Sequence, residues 1–122
     1  MITAKHVPRQ LPVHPGARKG LFSTVRIRRY AVIGEYTGTI VKLEHEHDPY
    51  WSMSTSRGHL IDASTSRRTC VVRFVNHNTR LLANCITREL YADGRVFVIA
   101  NRSIPANKEL FLHYGNNYPY HW

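Results

Sequence analysis

Cys85-Ile86-Thr87-Arg88-Glu89-Leu90-Tyr91-Ala92-Asp93-Gly94-Arg95-Val96-Phe97-Val98-Ile99-Ala100 is the plainest structural statement in this chain. Two runs rich in β-branched and aromatic residues flank Ala92-Asp93-Gly94, and Asp-Gly between such runs is a strong hairpin turn. The same vocabulary recurs on either side. Toward the N-terminus, Val71 to Val75 is apolar enough to be buried, and His59 to Ala63 suits a brief strand. Leu21-Phe22, Val25 with Ile27, and Val32-Ile33 read as pieces of strand. Glu35 to Val41 reads as another, with Gly38 marking a bulge or a close backbone approach. Toward the C-terminus, a turn around Pro105 to Asn107 leads into a final strand over Glu109 to Tyr114. Residues 42–58 are polar and mixed, which predicts a loop with one helical turn near Pro49 to Met53. No stretch sustains a 3.6-residue period, so long helices are not expected. The fold class is mostly β with a minor α+β character, built from many short strands.

The chain has 122 residues, enough for one domain with one core. Hydrophobic residues make up 43% and charged residues 20%, ordinary globular usage. The longest apolar run, Val96 to Ala100, is far shorter than the ~20 residues of a membrane helix. Pro8, Pro12 and Pro15 interrupt a front end that has no apolar centre, so no signal peptide is expected. Residues 1–15 read as a basic, extended arm. Formal net charge is +9, and no acidic residue precedes Glu35 while seven basic ones do: Lys5, Arg9, Arg18, Lys19, Arg26, Arg28 and Arg29. Such an imbalance fits a polyanionic neighbour or simple solubility. Arg26-Ile27-Arg28-Arg29 reads either as a nucleic-acid patch or as an exposed strand face. Cys70 and Cys85 cannot make a structural zinc site alone, and reduced thiols are the default. His45-Glu46-His47-Asp48 is read as a solvated loop, with no metal.

Three segments carry the chemistry. One is Gly20-Leu21-Phe22-Ser23 followed by Ile33-Gly34-Glu35-Tyr36-Thr37-Gly38. Another is Arg73-Phe74-Val75-Asn76-His77 with Asn84-Cys85 downstream. The last is Ile99-Ala100-Asn101-Arg102-Ser103-Ile104, then Glu109-Leu110-Phe111-Leu112-His113-Tyr114-Gly115. In this order and spacing, with Ile61-Asp62-Ala63 between them, they resemble the SET-domain family of protein-lysine methyltransferases. Viral and some microbial members of that family are similarly small.

The resemblance covers residues 16–115, with 43–58 as its variable insert and 116–122 as an aromatic C-terminal tail. It implies several small β-sheets with a C-terminal pseudoknot. It implies S-adenosylmethionine as cofactor, with S-adenosylhomocysteine as product, and a protein lysine as methyl acceptor, most often on a histone tail or nucleosome. It assigns Tyr114 and Tyr36 to catalysis in a narrow lysine channel shared with Leu112. It assigns Lys19, Gly20, Leu21, Phe22, Arg73, Phe74, Asn76 and His77 to the cofactor. Taken alone, the tyrosines would read as core residues, and Asn76-His77 as a turn. Glu44, Glu46 and Asp48 lie in the insert and would form an acidic rim for a basic peptide. Tyr118 and Trp122 would cover the adenine or the lysine channel, or else pack on the core.

The chain departs from the family pattern at several places. Arg18 stands where the motif's first glycine is usual, Tyr30 where a turn glycine is common, and Asn78-Thr79 where Ser-Cys is usual. His113 stands where aspartate is frequent, and two extra residues precede Asn84. Leu112 occupies a position where an aromatic residue often limits methyl number; leucine has no hydroxyl to hold a water there, which points to di- or trimethylation. A histone substrate would place the protein inside the cell, in the nucleus, or the host nucleus if the chain is viral. A homodimer would supply surface that so small a domain lacks. The rival expectation is a non-catalytic SET-like module that binds peptide or nucleic acid.

Overall fold

In the computed structural model of the chain, the 85–100 segment is an antiparallel hairpin with register running from Cys85↔Ala100 to Leu90↔Arg95. Gly94 closes it at φ 67, and its N–H donates to the Leu90 carbonyl at 2.9 Å. The structure describes residues 2–7, 19–42, 52–54, 59–63, 70–90 and 94–114. Among these, the strands in chain order are β1 (Ile2–His6), β2 (Lys19–Ser23), β3 (Val32–Tyr36), β4 (Thr39–Lys42), β5 (Ser52–Ser54), β6 (His59–Asp62), β7 (Asn76–His77), β8 (Cys85–Leu90), β9 (Arg95–Ala100) and β10 (Glu109–Leu112). A short 3-10 helix, Val71–Phe74, precedes β7. The strands form three small sheets, ordered β1-β2-β10-β7, β3-β9-β8 and β4-β6-β5.

The core is one cluster that joins all three sheets. Leu21, Tyr36, Ile61, Val72, Val75, Val98, Ile104 and Leu110 belong to it. Alternation along the strands places these side chains inward, and β-branched residues suit the pleated surface. Cys70 and Cys85 are buried and unbridged. Burial pushes the Cys85 thiol up to about 12, so it is a neutral packing group and no nucleophile.

Several local expectations are corrected. Glu35 to Val41 is not one strand. It breaks after Tyr36, and β3 and β4 go to different sheets. The reason lies at Gly38, where an added Cβ would sit 2.2 Å from the Asp62 carbonyl oxygen. The close approach foreseen there is what separates the strands. Met53 lies in strand β5, paired with Ile61, rather than in a helical turn. Val25 is not in a strand; Ser23 Oγ donates to its carbonyl at 2.7 Å, and Ile27 alone of that pair bridges, to Ile104. The last strand ends at Leu112, two residues early. Residues 2–6 of the expected arm form β1 and pair with β2 from Ile2↔Ser23 to His6↔Lys19.

Tyr30 adopts φ 70, the region a glycine would take without cost. A bulky residue there carries a strain of about 1–3 kcal/mol. Its N–H donates to the Ala100 carbonyl at 2.8 Å, and Ala100 N–H donates to Ala31 at 3.0 Å, so the surroundings impose the turn.

Glu35 and Arg95 meet across β3 and β9 in a two-pronged ion pair, Nη2 to Oε1 at 2.9 Å and Nε to Oε2 at 3.1 Å. The hydrogen bonds from Arg95 hold the Glu35 carboxyl below its usual range, against a partial desolvation that raises it. A depressed folded-state value stabilises above the unfolded value and is lost as pH falls through the folded one. The pair is partly exposed, so its contribution is at most about 1 kcal/mol. Arg95→Met should therefore lower stability slightly at neutral pH, and thermal melts should show the gap to wild type closing as pH falls through and below the ordinary carboxylate range.

Candidate functional site

The segment 71–77 runs from the 3-10 helix into β7, the parallel neighbour of β10, and its side chains divide by environment. Val72 and Val75 are buried in the core, and Val72 packs on Gly34, where an added Cβ would fall 2.6 Å from its Cγ1. Arg73 is also buried, and its Nη1 donates to the Ala63 carbonyl at 2.6 Å, tying this helix to the end of β6. The Arg73 guanidinium also lies 4.9 Å from the Phe74 ring centroid, and the Lys19 ammonium 5.4 Å from it. Aromatic faces attract cations at such distances.

Asn76 and His77 follow as β7, which runs parallel to β10 with Asn76 opposite Phe111 and His77 opposite Leu112. Asn76 is 2% exposed. Its Nδ2 donates to the Lys19 carbonyl at 2.7 Å and to Glu109 Oε2 at 3.2 Å. Both partners are acceptors, so the amide orientation is set and Oδ1 points away from them. The Glu109 carboxylate lies over Gly20, where a Cβ would sit 2.6 Å from Oε2. Gly20 is thus the residue that admits the carboxylate to Asn76.

His77 is fully buried. Its Nδ1 accepts the Tyr114 N–H at 2.7 Å, which puts the neutral ring's proton on Nε2. The rings of His113 and Tyr114 lie 5.0 and 5.3 Å from it. Tyr114 then turns back, and its hydroxyl donates a short hydrogen bond to the Val75 carbonyl. Tyr114 as a residue is 43% exposed, so an anchored side chain remains accessible. Asn84 clasps the same strand: Nδ2 donates to the Glu109 carbonyl at 3.0 Å, and Oδ1 accepts the Phe111 N–H at 2.8 Å. Asn78 N–H adds a bond to the Leu112 carbonyl at 2.8 Å.

The residues picked out by sequence therefore converge in part. Lys19, Gly20, Asn76, His77 and Tyr114 share one hydrogen-bonded neighbourhood. Leu21 and Phe22 belong to β2 beside β10, and both are buried. Tyr36 and Leu112 are buried in the cluster that also contains Val75. Glu44, Glu46, Asp48, Tyr118, Trp122 and Arg18 lie outside the described residues. Glu109 was not foreseen as a site residue. The available cue was a carboxylate heading the otherwise apolar strand Glu109-Leu110-Phe111-Leu112, in register with Phe22.

A family model described as SET domain matches residues 18–115. The chain belongs to the SET-domain family. The match spans the three sequence segments and every residue of the hydrogen-bonded neighbourhood above. Solved structures with the SET fold of this chain include the Chaetomium thermophilum polycomb repressive complex 2, at 22% identity and TM-score 0.72 over 98% of this chain. The same complex in an autoinhibited conformation bound to S-adenosylmethionine matches at 24% identity and TM-score 0.69, again over 98% of this chain. A third, bound to histone H3 forms that include a trimethylated one, matches at 22% identity and TM-score 0.73, over 98% of this chain. This SET domain spans only 16%, 16% and 15% of those chains, respectively. No curated protein shows significant similarity to it. Among the described residues, no helix is long and apolar enough to cross a membrane.

Proposed function

We propose that this SET domain transfers a methyl group from S-adenosylmethionine to a lysine side chain of a protein, with histone tails as the substrate class. The observation that carries the proposal is the Tyr114 anchor: hydroxyl on Val75, N–H on His77, face exposed, one strand from a buried amide. The donor set fits the cofactor. Asn76 presents Oδ1 as an acceptor suited to an ammonium group, while its Nδ2 is already committed to Lys19 and Glu109. Lys19, Gly20, Asn76 and His77 would hold the cofactor's amino-acid end and adenine, with Leu21, Phe22, Arg73 and Phe74 supporting the walls. When bound, the cofactor supplies a methyl group on a positively charged sulfur.

The protein's own residues then have defined tasks. Free lysine has a pKa near 10.4, and the attacking amine must be neutral. A channel walled by Tyr36, Leu112 and the Tyr114 ring is apolar, so it disfavours the ammonium and helps release its proton. Because the Tyr114 hydroxyl donates to Val75, its oxygen is an acceptor toward an amine N–H, which orients the nitrogen lone pair. Alignment of this kind supplies much of the rate in a displacement with no covalent intermediate. A wall of Leu112 without a hydroxyl supports addition of more than one methyl. Glu44, Glu46 and Asp48 would attract a basic tail, Tyr118 and Trp122 would close the site, and a nuclear location follows from a histone substrate. The histone-bound and S-adenosylmethionine-bound structures of the polycomb complex support the same substrate and cofactor classes.

The test is methyl transfer by the purified chain to core histones, nucleosomes and general lysate protein, read by mass spectrometry. A mass gain on lysine is expected, reduced at least about 100-fold by Tyr114→Phe, the scale of losing an aligned polar group in catalysis. A chain that binds the cofactor but methylates nothing would instead be a binding module.

A further inference from the structure

We infer that the Arg26–Tyr30 turn, together with Arg102, is a nucleic-acid-binding surface that grips a duplex by its phosphates, separate from the methyl-transfer site. Ile27 bridges Ile104 through bonds of 2.9 Å in both directions and is buried. Its neighbours Arg26 and Arg28 are exposed, as are Arg29 and Tyr30. On an extended backbone, residues two apart on one face are separated by about 6.6 Å, roughly twice the 3.4 Å axial rise between charges on one nucleic-acid strand. Arg102 is brought alongside by that pairing. Arg26 Nε donates to Ser103 Oγ at 3.0 Å, and Arg102 Nη2 donates to the Ala83 carbonyl at 3.1 Å, which orients both guanidinium groups without neutralising them.

Charge balance supports the assignment. Residues 1–34 and 94–108 contain no aspartate or glutamate. Among the described residues, no carboxylate pairs with Arg26, Arg28, Arg29 or Arg102, whereas Arg95, on β9, is paired with Glu35. Unpaired exposed cations repel one another, and a polyanion relieves this. The cations here are all arginines, whose planar fork matches a phosphate in two-pronged fashion. An aromatic side chain completes the patch. Tyr30 is 61% exposed, with the Arg29 guanidinium 4.7 Å from its ring centroid. It occupies φ 70, a position for which glycine is the unstrained choice. An exposed tyrosine at a positive φ, with Arg29 over its ring, adds little burial to the fold, and strain of this kind concentrates at binding sites. An aromatic face beside phosphate-binding cations can pack on a sugar or base edge, which an acidic peptide does not require.

The experiment is fluorescence anisotropy of a labelled duplex of about 20 base pairs with the full chain, at salt from about 50 to 200 mM. Wild type should bind with an affinity falling steeply with salt, at a log–log slope of about −3 to −4 for three to four phosphates. Arg28→Ser with Arg29→Ser should weaken binding at least about 10-fold at low salt and reduce the slope by about two. Tyr30→Gly suits the backbone, so a weaker affinity with an unchanged melting temperature would come from the lost ring. Equal affinity of the double variant and wild type, or no salt-dependent binding by wild type, would overturn the assignment. So would polyglutamate competing as well as unlabelled duplex, since the surface would then be reading acidic protein. None of these outcomes depends on methyl transfer: the double variant should retain wild-type activity on free histone peptide.

Discussion

Gly38→Ala should cost about 3 kcal/mol of stability and lower the melting temperature by roughly 10 °C. The added methyl would meet main chain, at 2.2 Å from the Asp62 oxygen, 2.6 Å from its carbonyl carbon and 3.0 Å from Ala63 Cα. No rotamer change relieves such a contact. Asp62 is paired with Thr39, and the Ala63 carbonyl accepts the buried Arg73 guanidinium, so relief requires moving β6 or opening its pairing with β4. Two other glycines calibrate the effect. Gly34→Ala meets Val72 Cγ1 at 2.6 Å, the tip of a side chain that can rotate, and should cost less, about 1–2 kcal/mol. In Gly94→Asn the added Cβ meets nothing within 4 Å and asparagine tolerates φ 67, so it should be nearly neutral. Thermal and urea melts followed by circular dichroism would rank the three. A Gly38→Ala protein as stable as wild type would mean that the strands do not pass one another as closely as described.

The second large effect is expected on cofactor affinity. Asn76→Ala removes the amide whose Oδ1 is assigned to the cofactor's ammonium group. A hydrogen bond to a charged group is worth about 1.5–3 kcal/mol, so calorimetry should show S-adenosylmethionine binding weaker by about 10- to 100-fold. Glu109→Ala leaves the amide in place but frees its orientation, because Nδ2 loses the 3.2 Å bond. A smaller loss, about 5- to 10-fold, should follow, with turnover at saturating cofactor changed little. Glu109→Gln restores an acceptor oxygen and should recover most of the affinity, which marks Glu109 as a positioning residue. Asn76→Asp would set a carboxylate against the Lys19 carbonyl and the Glu109 carboxylate, so it should bind poorly and melt early. Unchanged affinity in Asn76→Ala would detach this amide from the cofactor and move the amino-acid end of the site elsewhere.

Many of the chain's local elements were legible from its residues because local elements answer to local chemistry. Asp93-Gly94 between β-rich runs specified the hairpin, and Gly94 does take the positive φ that the turn needs. Gly38 announced a close approach, and one exists. The ordered motifs from Gly20 to Gly115 were enough to place the chain beside the family to which it belongs. What periodicity could not express was where a strand breaks for a distant reason: nothing within Glu35 to Val41 reveals that the Asp62 carbonyl will pass beneath Gly38.

The neighbourhood around Asn76 lay beyond local pattern altogether. Asn76 reaches Lys19 across 57 positions and Glu109 across 33, and Tyr114 reaches Val75 across 39. Such contacts exist because β10 enters between β2 and β7, antiparallel to one and parallel to the other. Partner choice among short strands depends on which faces bury together, and loop closure over such distances leaves no periodic mark in sequence. Residue identity therefore supplied most of the strands, the hairpin turn and the chemical groups of this SET domain. Packing supplied the rest: it turned a glutamate at the head of an apolar strand into the partner of a buried amide, and gathered arginines far apart in the chain onto one surface.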